Sequence, residues 1–287
     1  MIAIYKREFG SYFHGILGYI FVAVLICFTG FYTMYVAFVN LYPNFEYVVS
    51  NLTFFYLFLI PMLTMRSVAE EKKQKTDQLL YSLPMSMSKI VAGKFLAMAT
   101  VLLIPVLWMC AIPAILSRYG TVNFAIAYSA IFGYFMLGCA LIAMGLFFSS
   151  LTENQIVAMI LSFFTVLVLY LMSNISGFIA STAFASYISI VLVIIVISII
   201  WYLMIKNFYL AGTVFLVAQM ILFLLYTKYN TAFEGLIQNV LNQCSLFERL
   251  GNFIYGMFDG TSIVYYLSIM LLFLFLTVQS LEKRRWS

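Results

Sequence analysis

Charge is what this sequence has least of: 9% of its 287 residues are Asp, Glu, Lys or Arg, against about 25% in an ordinary soluble domain. It holds one histidine, His14, and four widely separated cysteines, Cys27, Cys110, Cys139 and Cys244, three of them inside apolar runs. That spacing offers neither a disulfide framework nor a CxxC metal signature, and a lone histidine without a neighbouring ligand makes no metal site. A phosphate-cradling GxxxxGK[ST] loop is also missing. Gly93 and Lys94 are adjacent, but Ser88 stands at the leading glycine position and Phe95 at the hydroxyl position. Finally, no carboxylate lies well inside an apolar run; Glu153, for example, sits in the turn SSLTENQ. Proton-coupled carriers, intramembrane proteases and metal transporters keep costly ionisable groups within the bilayer, so those classes lose their support.

What the sequence does have is apolar length. Hydrophobic residues make up 65% of the chain, in runs of about twenty rather than at the spacing of a soluble amphipathic helix. The solvent is therefore lipid, where uninterrupted runs select helices over a barrel. The first run starts near Gly15 and is too long and too late for a cleaved signal peptide. Eight spans are expected, near 15–39, 51–66, 91–117, 124–148, 155–173, 184–205, 208–228 and 262–281. With the N-terminus inside, twelve of the fifteen basic residues face the cytoplasm, and only Arg118, Lys228 and Arg249 face out. An even number of spans keeps both basic ends inside. The expectation is an all-α, polytopic bundle in a plasma membrane, with both termini cytoplasmic and lipid as its surroundings.

Three segments lie outside the spans. Residues 1–14 place Ile2, Tyr5, Phe9, Tyr12 and Phe13 at helical spacings of three and four, which predicts an amphipathic helix on the inner leaflet ahead of the membrane domain 15–287. The loop 67–90 carries Glu70, Glu71, Lys72, Lys73, Lys75 and Asp77 before Leu79 and Leu80. Glu71 and Lys75 stand at i and i+4 in the favourable order, and Pro84 stops any helix near Ser82 or Leu83. The outer segment 229–261 repeats Phe233, Leu236, Ile237, Val240, Leu241, Cys244 and Phe247 at three and four, predicting an amphipathic helix packed on the outer face of the membrane or the bundle.

MLTMRSVAEEKKQKTDQLLYSLPMSMSKIVAGKF resembles the segment after the second span of ABC type-2 permeases, with its acidic pair, a Thr followed by a Leu pair, and a Pro near a hydroxyl residue. YKREFGSYF resembles the surface helix of that class and FFSSLTENQIVA its four-to-five turn, while the stretch from FERLGNF to LEKRRW resembles the C-terminal region of the gliding-motility-associated branch. The resemblance implies an ABC type-2 permease fold without catalysis of its own, paired with an ATPase subunit that holds ATP and Mg, and with a second permease copy or a related membrane or auxiliary subunit. No cofactor of its own and no nucleic-acid partner are implied. ATPase coupling is carried over to Glu70, Glu71, Lys75, Thr76, Gln78 and Leu79 in the loop, to Glu153, Asn154 and Gln155 in the turn, and to Lys6, Arg7 and Glu8 in the surface helix. A substrate path near the second and fifth spans would involve Asn51, Phe54, Phe58, Met159 and Phe163. The implied function is export of a substrate driven by the partner's ATP hydrolysis; the alternative is a non-transporting scaffold that passes ATPase-driven motion to an envelope partner. Two departures stand out: two spans more than the six of many such permeases, and Lys75 where Gly is common. On an exposed helix Lys75 is expected to be tolerated, Lys being the better helix former.

Overall fold

The computed structural model describes residues 1–40, 43–76, 85–178, 181–205, 208–228 and 233–286. Among them there is no strand. Two compact units emerge, one formed by Met1–Tyr170 with Leu246–Ser287 and the other by Leu171–Ser245.

In the first unit, α1 (Ile2–His14) leads into α2 (Ile16–Thr33), which runs on through a π-helical turn, Met34–Val39. The second apolar stretch is built from α3 (Phe45–Leu52), a 3-10 turn (Thr53–Phe55) and α4 (Tyr56–Thr64), followed by the short α5 (Ala69–Lys73). Then come α6 (Met87–Leu116), α7 (Phe124–Leu151), α8 (Gln155–Phe178) and, after the second unit, α12 (Leu246–Ile254) and α13 (Gly260–Trp286). The second unit holds α9 (Ala183–Ile205), α10 (Phe208–Lys228) and α11 (Leu236–Cys244). Among the described residues six helices are long and apolar enough to cross a membrane, starting at Ile16, Phe45, Met87, Phe124, Gln155 and Gly260. The remaining two predicted spans coincide with α9 and α10, whose described apolar stretches, Ala183–Ile195 and Phe215–Lys228, are shorter. The chain is an all-helical, multi-pass membrane protein.

Spans begin where a short polar side chain can take up free amides. Asn123 Oδ1 accepts from the Ile126 amide at 3.4 Å, Asn154 Oδ1 from Ile156 at 3.0 Å, and Asp259 Oδ1 from Thr261 at 2.9 Å. At the centre of the first unit is α7, 72% buried across its span against 17% for α8. Lipid tails are as apolar as leucine, so packing rather than hydrophobic sorting must hold such helices together, and small residues allow it. Gly138 lets Tyr56 approach so closely that a Cβ there would lie 2.8 Å from the Tyr56 hydroxyl, and Gly133 admits the ring of Phe253, 2.8 Å from the same virtual atom.

The second span, the surface helix and the outer segment depart from the sequence reading. The second span begins at Phe45 rather than near 51, because Phe45, Val48, Val49 and Leu52 are all fully buried and extend the apolar face outward. That extension carries Glu46 into the bundle, 5% exposed, with Asn44 Nδ2 donating to it at 2.8 Å. Pro61 lies within the second span, and its carbonyl accepts the Met65 amide at 3.0 Å. On α1 the buried residues are Ile4 and Tyr12, whereas Ile2 is exposed: the helix packs on α6 and α2, and Ile4 rests on the bare Cα of Gly93. The outer segment is two helices rather than one. In the second unit α11 buries none of its residues fully, while in the first α12 buries Leu246, Leu250 and Phe253 against its own bundle.

Candidate functional site

One end of the first unit gathers its polar side chains. The short helix α5 is mounted there from outside its own sequence. Val68 precedes it and has no side chain able to cap, so the Val68 and Ala69 amides donate to Ser149 Oγ of α7, both at 3.1 Å, and that hydroxyl donates to the Met65 carbonyl at 3.2 Å. Lys72, buried, donates to the Ser150 carbonyl, which also accepts from Ser280 Oγ of α13 at 3.3 Å. At the far end the Lys75 amide bonds the Lys72 carbonyl at 3.2 Å and the Thr76 amide bonds the Glu71 carbonyl at 3.0 Å. These are the paired bonds of a Schellman stop, and Lys75 occupies its left-handed position at φ 57°. The helical Lys75 expected from the sequence is therefore corrected: the helix stops at Lys73, and Lys75 adopts the conformation for which glycine is suited.

Behind α5 four charged side chains close a ring. Arg7 reaches Glu8 and Glu71, each at 2.6 Å, and Lys94 reaches Glu8 at 3.1 Å and Glu71 at 2.8 Å. Lys94 is 2% exposed and also donates to the Ser67 carbonyl at 2.7 Å. Two cations and two carboxylates balance, so the ring tolerates burial that a lone charge would not. It ties α1 to α5 and both to α6. Beside it Arg66 holds Glu70 through both nitrogens it presents. Partial burial opposes it, but Glu8 and Glu71 still hold the Arg7 guanidinium above its ordinary value, and burial pushes the Tyr12 phenol up while its hydroxyl donates to the Leu63 carbonyl at 3.1 Å. A cavity of about 390 Å³ opens among Arg7, Tyr12, Arg66, Glu70 and Glu71.

Of the sequence-predicted coupling residues, the structure brings Arg7, Glu8 and Glu71 together, with Glu70 and Thr76 lining the same cavity. The expected Glu71–Lys75 pair does not form, since Glu71 is turned inward to Arg7 and Lys94. Glu153, in the turn between α7 and α8, pairs with Arg284 of α13 at 2.8 Å; Asn154 caps α8; Gln155 is half-buried; Lys6 is exposed. Gln78 and Leu79, with the predicted stop at Pro84, lie outside the described residues. Sequence reasoning missed Lys94, although a lysine three residues into an apolar span was itself a signal of a buried partner. It also missed Ser149 and Ser150, whose role depends on where α7 passes.

The residues proposed for a substrate path fall into one aromatic cluster and two neighbours. Phe58 meets Phe163 with ring centres 5.3 Å apart, and Phe54 meets Phe58 at 5.9 Å and Tyr170 at 6.1 Å. Phe54 and Phe58 remain 45% and 48% exposed. Asn51 bonds its own helix at the Tyr47 carbonyl, 2.8 Å away, and Met159 is half-buried.

The family model described as ABC-2 family transporter protein matches residues 3–286. No curated protein and no solved structure matches the chain.

Proposed function

The chain belongs to the ABC-2 transporter family, and from that premise we propose that it is the permease subunit of an exporter, resembling the gliding-motility-associated branch and driven by ATP that a separate ABC ATPase binds with Mg. The observation that carries this reading is the ring of Arg7, Glu8, Glu71 and Lys94, which makes α1, α5 and the start of α6 one charged mount at the end of an otherwise apolar bundle. A partner pressing on α5 moves the spans attached to it, because the ring and Ser149 leave α5 no independent travel. We place this end, with both termini, in the cytoplasm of a bacterial inner membrane, and the exposed aromatic face of Phe54 and Phe58 along a substrate path shared with a second membrane subunit.

Co-expression with its ABC ATPase subunit tests the coupling. The expected result is a stable complex whose ATP turnover falls about tenfold or more in Glu71→Lys, which sets a third cation against Arg7 and Lys94. Unchanged turnover in an intact complex sinks the assignment.

A further inference from the structure

The cavity of about 390 Å³ beside the charged ring is of the size that small ligands fill, about 300–1,000 Å³. Two spans set its depth in the membrane. Ser11 and Tyr12 line it from the last turn of α1, immediately before the first span starts at Ile16. Arg66, Glu70 and Glu71 line it from the last turns of the second span, which runs to Lys73. Gly15, at the joint between α1 and α2, lets the two sides meet: a Cβ there would lie 3.5 Å from Arg66 Nη1. A cavity bounded by the start of one span and the end of another lies at the level of the lipid headgroups. Its chemistry is balanced but not used up. With Lys94 behind them, Arg7 and Arg66 face Glu8, Glu70 and Glu71, three cations to three carboxylates. Arg7 bonds through Nη2 alone and Arg66 through Nε and Nη2, so Arg7 Nε and Nη1 and Arg66 Nη1 make no hydrogen bond among the described residues. Glu8 Oε2 likewise accepts none. Ser67, 5% exposed, lines the same cavity, and its hydroxyl has no hydrogen-bond partner among the described residues, the neighbouring Tyr12 phenol giving its proton to the Leu63 carbonyl. A polar lining with donors and an acceptor to spare is one that a polar ligand completes.

We propose that this cavity holds a phosphoethanolamine lipid headgroup, its phosphate on the spare donors of Arg7 and Arg66 and its ammonium on Glu70 and Glu8. A lining of no net charge matches a ligand of no net charge, whereas an anionic headgroup, a free phosphate or a lone cation would stay uncompensated in a partly buried place. A choline headgroup is neutral too, but its nitrogen carries no hydrogen to give the carboxylates. The lipid then joins α1 to the end of the second span as one more part of the mount. This requires only that the chain spans a membrane, so it stands apart from the export reading.

The test uses the full chain, stripped of lipid in detergent and offered equal amounts of phosphatidylethanolamine, phosphatidylcholine and phosphatidylglycerol with the same acyl chains. Native mass spectrometry counts the bound lipid. One phosphatidylethanolamine per chain is expected, preferred about tenfold over either of the others. Glu70→Gln should bring phosphatidylethanolamine down to the level of phosphatidylcholine, whereas Arg66→Gln should weaken both together; melting temperatures without added lipid show that the variants fold. Equal retention of the three lipids by the wild-type chain overturns the proposal, and so does a preference for phosphatidylglycerol. A phosphatidylethanolamine preference that survives both substitutions puts the lipid elsewhere and overturns it too. In a last arm, a short-chain phosphatidylethanolamine should raise the melting temperature of the wild-type chain more than free O-phosphoethanolamine at the same concentration. An equal rise would assign the cavity to a soluble zwitterion and overturn the lipid.

Discussion

Lys75 and Lys94 show how one residue type is put to opposite uses within twenty positions. Lys75 sits in a left-handed backbone that suits glycine better, so Lys75→Gly should raise the melting temperature of the purified chain, corresponding to about 1 kcal/mol. An unchanged or lower melting temperature would show that the lysine is held there without that cost. Lys94 is buried for the sake of Glu8 and Glu71. Lys94→Met leaves those carboxylates facing each other with only the exposed Arg7 between them, and should cost about 3–5 kcal/mol. Adding Glu8→Gln and Glu71→Gln removes the repulsion and should recover most of that loss, because the one charge left, that of Arg7, is exposed and needs no buried counter-charge. Chemical denaturation of the single and triple variants in detergent separates the two outcomes. The sequence showed where these charges lie along the chain but not which way they turn, since partners drawn from residues 7, 8, 71 and 94 meet only after folding.

At the scale of elements, the starts of the spans near 124, 155 and 262 were legible, whereas the start of the second span and the neighbours of each helix were not. Asp259 is the cap of α13, and its carboxyl is held down to about 2 from an ordinary 3.8, first by the Thr261 hydroxyl and then by the Thr261 amide and the Ser262 hydroxyl. A depressed carboxyl contributes stability that is present above its unfolded value and lost as pH falls towards its folded one. The contribution of this cap should therefore fade between about pH 4 and pH 2. Asp259→Asn should lose that part of the acid dependence, as read by thermal melts across this range. In α7 the decisive positions are the small ones. Gly138→Val pushes a branched side chain into Tyr56 and Leu102 and should cost about 1–3 kcal/mol, visible as a lower melting temperature. The periodicity of a wholly apolar helix has no face to read, so nothing in the order of residues along α7 announced that it would be central and α8 peripheral.

For the whole molecule, transport and force transmission differ in what stimulates the ATPase: a substrate that speeds turnover and crosses the membrane supports export, whereas stimulation by an envelope protein without flux supports a scaffold. The apolar runs by themselves determined that this chain is a helical membrane protein, because backbone amides in lipid must be paired internally and long uninterrupted runs fit a helix and not a barrel strand. Runs of charge located its polar loop, and four short stretches pointed to a family whose model matches residues 3–286. Only the tertiary structure decided that Glu70 and Glu71 of that loop are held within the chain by Arg66, Arg7 and Lys94, that Ser149 caps a helix it is eighty residues away from, and that Glu46 lies inside the bundle. The reason is physical: burial and charge pairing depend on which helices pass within a few ångströms of one another, a relation that a linear order of residues does not contain.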